Sequence, residues 1–276
     1  MKITVLMEND SCREGIYAEH GLSLFIETEK HRLIMDTGSS DLTWKNADTM
    51  GIDLSVVDTV VISHGHYDHT GGLMDLLKRN GRAVIYIRRN AFGAFYHGMK
   101  YIGMDQNSSS FENIHYVDQF FAVDDELFLF SDIKGRRLWP QSNHELSEVV
   151  NQIHIQDEFS HEQVLVIHEK DQYVLISGCA HNGILNILDK FRTIFARDPD
   201  LVISGFHMKK KTVYSPEEIS TIKAIACELK RMDHTMFYTG HCTGRPAFDL
   251  MKEIMGERLQ KMNAGDVILW KEHDIA

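Results

Sequence analysis

The stretch "TVVISHGHYDHTGG", residues 59 to 72, constrains this chain more than any other. A β-branched apolar run reads as a buried strand. At its carboxyl end stand His64, His66, Asp68 and His69 within six consecutive positions, followed by Gly71 and Gly72. Open α/β architectures place their chemistry in loops at the carboxyl ends of strands. Imidazoles and a carboxylate there suit zinc, manganese or iron. The pairs His64/His66 and Asp68/His69 can each hold one metal. Neither pair completes a coordination shell, so further ligands must come from elsewhere in the chain. The glycines are expected to turn the backbone sharply into the next helix.

The rest of the sequence supplies suitable elements. Strands are expected at 3–7, 22–27, 32–36, 83–87, 162–168, 173–178, 201–205, 235–240 and 266–271. Helices are expected over 71–80, 182–196 and 245–256. A further helix opens at Ser215, with Pro216 in its first turn and Glu218 completing a capping box. Ile219, Ile222, Ala226 and Leu229 form its buried stripe. Nothing marks a linker or repeat, so a single domain over 1–276 is expected. The glycine-, serine- and aromatic-rich stretch at about 89–150 is expected to form irregular insertions over one rim of the core. The fold class is α/β.

Charge narrows the partners. Lys plus Arg total 29 and Asp plus Glu total 40, so 29 − 40 gives a net charge of −11. Such a chain repels phosphate backbones, and its one tight basic run, Lys209-Lys210-Lys211, is short. The expected partner is a small-molecule substrate, with no nucleic acid and no membrane. The first residues lack a signal peptide's apolar region, and no run reaches the roughly 18 apolar residues of a membrane span. A soluble cytoplasmic protein is expected. Cys12, Cys179, Cys227 and Cys242 have no paired spacing and read as reduced thiols. The sequence sets no oligomeric state.

The cluster "SHGHYDHTGGL" resembles the signature of the metallo-β-lactamase superfamily. The resemblance continues through "AEHGLSLFIE" (18–27), "MDTGSS" (35–40), "SGCAHNGI" (177–184), "SGFHM" (204–208) and "TGHCTG" (239–244). In this order these segments resemble the subfamily named for a dihydropterin ribofuranosylaminobenzene-phosphate synthase. The resemblance implies a four-layer αββα sandwich with a two-metal site at one edge. It implies that His64, His66 and His181 bind the first metal, and that Asp68, His69 and His241 bind the second. Two divalent metals are implied, zinc first, with manganese or iron as alternatives. Asp36 is implied to support the metal loop by hydrogen bonding. Many superfamily members bridge their metals with an aspartate after a Gly-Asp pair; here the pair is Gly178-Cys179. Three arrangements follow: Cys179 bridges, His181 takes over coordination two residues later, or no residue bridges. Where the di-iron, oxygen-reducing branch carries a glutamate, this chain has His66, which points to the hydrolase-like site.

The implied chemistry is attack by a metal-bound hydroxide, its pKa lowered towards about 7, on a carbonyl or phosphorus. Asp68 also orients that hydroxide, and His207 is a catalytic candidate. His20 is a supporting candidate, and Asn9 a weaker one. His97, His115, His144, His154, His161, His168 and His234 carry no spacing signal and read as surface or core residues. Ser39 or Ser40 is expected to cap the helix that follows, and Asp124-Asp125-Glu126 to form a solvated turn. The reading is a metal-dependent hydrolase-like enzyme acting on a small substrate, phosphate-bearing and pterin-like. The alternatives are a small-molecule phosphodiesterase and a metal-containing ligand sensor without turnover.

Overall fold

The computed structural model describes residues 1–210 and 212–270. Lys211 of the basic run and Lys271 of the expected closing strand lie outside them. Period-two alternation sorts the apolar side chains into layers. Along Val164–Glu169, Val164 and Val166 face one core while Leu165 and Ile167 face another. Along Leu201–Ile203, Val202 takes the first side, and Leu201 and Ile203 take the second. Strands covered on both faces read as continuous apolar runs, which is why the sequence displays them so plainly.

Two seven-stranded sheets result. In the first, Val267–Leu269, Lys2–Met7, Ser23–Glu27 and Arg32–Met35 pair antiparallel. Thr59–Val61, Val84–Arg88 and Ile114–Val117 then add in parallel. In the second, Phe120–Ala122, Leu127–Phe130, Val164–Glu169 and Gln172–Ile176 pair antiparallel, and Leu201–Ile203, Met236–Thr239 and Leu259–Lys261 add in parallel. Ile3, Val5, Leu24 and Met35 of the first sheet meet Leu165, Val174, Ile176 and Ile203 of the second in a central core. Leu42–Thr49 and Leu73–Arg79 cover the outer face of the first sheet through Trp44, Ala47, Leu73 and Leu76. Ile184–Phe195, Pro216–Lys230 and Arg245–Met255 cover the second. The architecture is the four-layer αββα sandwich.

The capping box of Ser215 and Glu218 forms as expected. In that helix Ile225 is buried with Ile222, Ala226 and Leu229, while Ile219, a turn nearer the exposed start, is only half-buried. The expected cap by Ser39 or Ser40 does not form: the N-cap of the helix Leu42–Thr49 is Asp41, without a side-chain cap bond, and Ser40 Oγ only accepts the Leu42 N–H at 3.2 Å. The glycines after the histidine cluster serve a different end from the one expected. Gly71 and Gly72 have ordinary φ values of −65° and −83°. A Cβ on Gly71 would lie 2.0 Å from the Ser39 carbonyl oxygen, and one on Gly72 would lie 2.3 Å from that of Thr37. They permit close approach of two loops, not a turn.

The stretch 89–150 is more ordered than its composition suggests. Ile114–Val117, Phe120–Ala122 and Leu127–Phe130 belong to the main sheets. Phe95–His97, Lys100–Tyr101 and Leu146–Val150, joined by Ile153–Gln156, make a third sheet of four strands. It holds the histidine loop directly: the Tyr67 N–H donates to the Ile102 carbonyl at 2.8 Å.

The acidic turn is also only partly solvated. Glu126 is buried, and Asp124 Oδ1 accepts the Glu126 and Leu127 N–H groups at 2.8 Å each. Asp124 Oδ2 lies 2.8 Å from His31 Nε2, and His31 Nδ1 lies 2.9 Å from Asp58 Oδ1. Asp58 precedes a strand of the first sheet and Asp124 one of the second, so His31 ties the sheets together. Burial opposes its charge, but the hydrogen bonds to Asp124 and Asp58 outweigh that and raise its pKa above 6.5. A raised folded-state pKa contributes stability fully present below the unfolded value and lost as pH climbs through the folded one. His31→Gln should therefore lower the melting temperature at about pH 6, with the gap to wild type closing by about pH 9. A gap constant across that range would mean that His31 acts through packing alone.

Candidate metal centre

Five neighbouring strand ends converge at one edge of the sandwich. Asp36 follows Arg32–Met35, Ser63 and His64 follow Thr59–Val61, and Cys179 and His181 follow Gln172–Ile176. His207 follows Leu201–Ile203, and His241 follows Met236–Thr239. Asp36, Ala180, His207 and His241 all carry positive φ, at 61°, 54°, 47° and 47°. Strained non-glycine backbone concentrates at functional sites because the surroundings must enforce it.

Asp36 is fully buried and organises the first-sheet side. Its Oδ1 accepts the Ser63 N–H at 2.7 Å, and its Oδ2 accepts the Ser63 hydroxyl and the His69 Nδ1–H, each at 2.6 Å. His69 therefore turns Nε2 inward, 3.2 Å from both Cys179 Sγ and His241 Nε2. Asp68 Oδ2 lies 3.1 Å from His241 Nε2 and 3.3 Å from His20 Nε2. Asp68, His69, Cys179 and His241 form one group whose potential ligand atoms lie within 4.8 Å of each other. Burial alone would lower the His69 pKa; the Asp36 and Asp68 carboxylates overcome it and raise it to about 9. Burial would raise the Asp68 pKa, but His69 and His241 hold it well below the usual carboxylate range. This corner collects both signs of charge at close range.

A second group lies beside the first. His64 donates Nδ1–H to Ser63 Oγ at 2.8 Å, because that hydroxyl already spends its proton on Asp36. His181 Nδ1–H donates to Asn143 Oδ1 at 3.1 Å. The Nε2 atoms of both rings are buried and have no hydrogen-bond partner among the described residues. With Cys179 Sγ they form a group within 4.8 Å. The His66 ring lies 4.6 Å from that of His64 and 4.8 Å from that of His181. Burial, then the neighbouring imidazoles, push His64 and His181 well below the usual histidine pKa, which keeps their lone pairs free. Cys179 belongs to both groups, and burial pushes its thiol well above the usual value. A metal would reverse that, since coordination deprotonates a thiol.

His20, placed at the rim, stacks on His241 with ring centroids 4.8 Å apart, and burial lowers its pKa to about 4. His207 lies half-buried with its ring 4.1 Å from that of His181, and its Nδ1 has no partner. All eleven candidates named from the sequence, Asn9 included, thus meet at this edge. Several that hold them there were not singled out. Glu162 accepts the His181 and Asn182 N–H groups at 2.7 and 2.9 Å. Glu8 accepts the His241 N–H; beside it Asn9, the weaker candidate from the sequence, accepts the His241 Nδ1–H through Oδ1 at 3.1 Å. His161, which has no spacing signal, is buried beside His66 with Asp157.

The sequence model of the metallo-β-lactamase superfamily matches residues 16–208. The 7,8-dihydropterin-6-methyl-4-(β-D-ribofuranosyl)-aminobenzene-5′-phosphate synthase of Methanocaldococcus jannaschii is 26% identical, with 91% of this chain and 90% of that protein covered. A solved metal-dependent hydrolase of the β-lactamase superfamily superposes with a TM-score of 0.85 at 31% identity, covering 99% of this chain and 100% of the other. Zinc-bound PqqB from Methylobacterium extorquens shares the fold, with a TM-score of 0.57 at 12% identity over 98% of this chain and all of its own.

Asp36→Asn puts an amide donor among three donors. The variant should lose about 3 kcal/mol of stability, the scale for an unsatisfied buried network, as measured by urea unfolding in the presence of a chelator. A loss under about 0.5 kcal/mol, the surface-substitution range, would show that Asp36 does not hold the loops.

Proposed function

This chain belongs to the metallo-β-lactamase superfamily, and on that footing we propose that it is a dinuclear metal-dependent hydrolase of a small, phosphate-bearing substrate. The observation that carries the reading is the pair of orphaned nitrogens. Buried polar atoms without partners are rare. Here two stand in the same cluster, His64 Nε2 and His181 Nε2, each with its other nitrogen already held. That is a donor set arranged for a metal. His64, His66 and His181 would hold the first ion, and Asp68, His69 and His241 the second. Cys179, a member of both groups, would be available to either ion.

Divalent ions bound there supply Lewis acidity and a water of lowered pKa. Nitrogen, sulfur and carboxylate donors together suit zinc better than manganese, which favours oxygen. The chain's own residues do the rest. Asp68 is the one carboxylate at its cluster and offsets positive charge there. Asp36 and Asn9 fix the tautomers of His69 and His241. His20, with its side chain 47% exposed, is placed to meet a substrate beside Asp68. His207 offers a free Nδ1 next to the first cluster. No serine or cysteine nucleophile is required, and Cys179 is buried at 2%.

The substrate class draws on the similarity to the pterin-phosphate synthase and on charge. A net charge of −11 opposes a polyanionic strand but leaves a small phosphoester accessible. A complete ligand set argues against a sensor that has lost turnover.

Reconstituted protein should carry two metals per chain by elemental analysis. Asp68→Asn should retain one and lose turnover on the order of a hundredfold, the scale of an electrostatic transition-state term. Turnover is read on substrates from a screen of phosphoesters, lactones and pterin phosphates. The exposed His234→Ala serves as control. A saturating stoichiometry of one, or an Asp68→Asn variant with two metals and full activity, would defeat the proposal.

A further inference from the structure

His66 differs from its two partners in how its ring is held. In His64 and His181 the Nδ1 is tied and the Nε2 is the orphan. In His66 the buried, unpartnered nitrogen is again Nε2, but a carboxylate faces it: Asp157 Oδ2 stands 4.0 Å away. That oxygen also accepts from His161 Nε2 at 3.1 Å, and Asp157 Oδ1 accepts the Phe159 N–H at 2.7 Å. His161 Nδ1 in turn accepts the Gly65 N–H at 3.1 Å, which fixes its proton on Nε2. The three side chains are buried and form a group of their own, apart from the one containing His64 and His181.

We infer that Asp157, oriented by His161, is the positioning carboxylate of His66: it accepts the Nε2–H of that imidazole and so presents Nδ1 to the first metal. The inference rests on the reading that His66 is a ligand of that metal. Metal-bound histidines regularly give their second N–H to a carboxylate, which sets tautomer and ring direction and raises donor strength. A gap of 4.0 Å is longer than a hydrogen bond, so the inference requires one of the two side chains to turn when the metal binds. Among the described residues no other acceptor partners the Nε2.

The surroundings leave the ring few alternatives. Phe95 is fully buried, 5.6 Å from the His66 ring and 4.0 Å from that of His161. A Cβ on Gly65 would lie 2.1 Å from the Ala91 carbonyl oxygen, so the loop is pressed against the segment leading to the third sheet. Asp157 follows Ile153–Gln156 of that sheet directly, and its N–H donates to the Leu146 carbonyl at 3.3 Å. The third sheet therefore carries a side chain to the metal loop. Its task is to aim one ligand, and Asp157 itself touches no substrate.

The test uses the full chain and zinc alone, with the two binding steps resolved by chelator competition and thermal melts run in chelator. His66→Ala identifies the first step by abolishing it. Asp157→Asn should weaken that step by about 10- to 100-fold, the effect of losing a ligand's outer partner, and leave the other step unmoved. His161→Gln should move the same step in the same direction, and it decides the matter if Asp157→Asn does not fold. If both zinc steps in the variant stay within about twofold of wild type, well short of an outer-partner effect, the inference is overturned. A lower melting temperature with unchanged zinc steps overturns it equally, since that is a purely structural role. If His66→Ala keeps both steps, the underlying ligand assignment has failed instead.

Discussion

One buried carboxylate, Asp36, sets the geometry on which the rest depends. It sits at φ 61° with no solvent exposure and receives three hydrogens, two from Ser63 and one from His69. An isolated buried carboxylate costs several kcal/mol, so the arrangement persists only because every contact is made. Charge-assisted bonds are about twice as strong as neutral ones. Through them Asp36 locks His69 directly and His64 by way of the Ser63 hydroxyl. Gly178 passes so close that a Cβ there would lie 2.2 Å from Ser63 Oγ. The Gly-Cys pair is thus held to glycine at its first position by the same network.

The device recurs around the cluster. Glu8 takes the His241 N–H, Glu162 those of His181 and Asn182, and Asp157 that of Phe159. Each is a buried acid that accepts backbone hydrogens beside or near a proposed ligand. Loops rarely have the precision of sheet or helix, and a metal site needs it. Buried carboxylates provide it by making any displaced loop leave a charge unsatisfied.

The split between what could and could not be read from the chain follows from distance along it. The strands were legible because both faces are covered, so apolar runs such as "VLVI" and "LVI" are unbroken. The cluster was legible because four of its side chains stand within six residues, and the capping box because Ser215 and Glu218 are three apart. Glu8 and Glu162 left no such trace: their partners lie 233 and 19 residues away. His161 meets Gly65 across 96 residues, on a loop whose neighbourhood looks irregular by composition. The Gly71-Gly72 pair was legible as a position but not as a reason. Close approach depends on the Asp36–Ser40 loop packed against it, and nothing local encodes that.

The proposed centre draws on both sheets. Asp36, His64, His66, Asp68 and His69 come from loops of the first, and Cys179, His181, His207 and His241 from loops of the second. Distances across the site are therefore set by the central core, where Met35 and Val61 meet Ile176 and Ile203 just beneath the strand ends. Close-packed interiors resist changes even of a methylene, so the sheets cannot slide without disturbing that layer. The coupling also runs the other way. Ions held by residues of both sheets would bind the assembled sandwich and not the separated halves, and any ligand specific to the folded state stabilises it by mass action. His31 clamps the sheets elsewhere through Asp58 and Asp124, so the spacing of the strand ends beneath the site does not rest on the loops alone. Its loops hold positive-φ backbone at Asp36, Ala180, His207 and His241 because the apolar layer below and the buried carboxylates between the loops keep them in place.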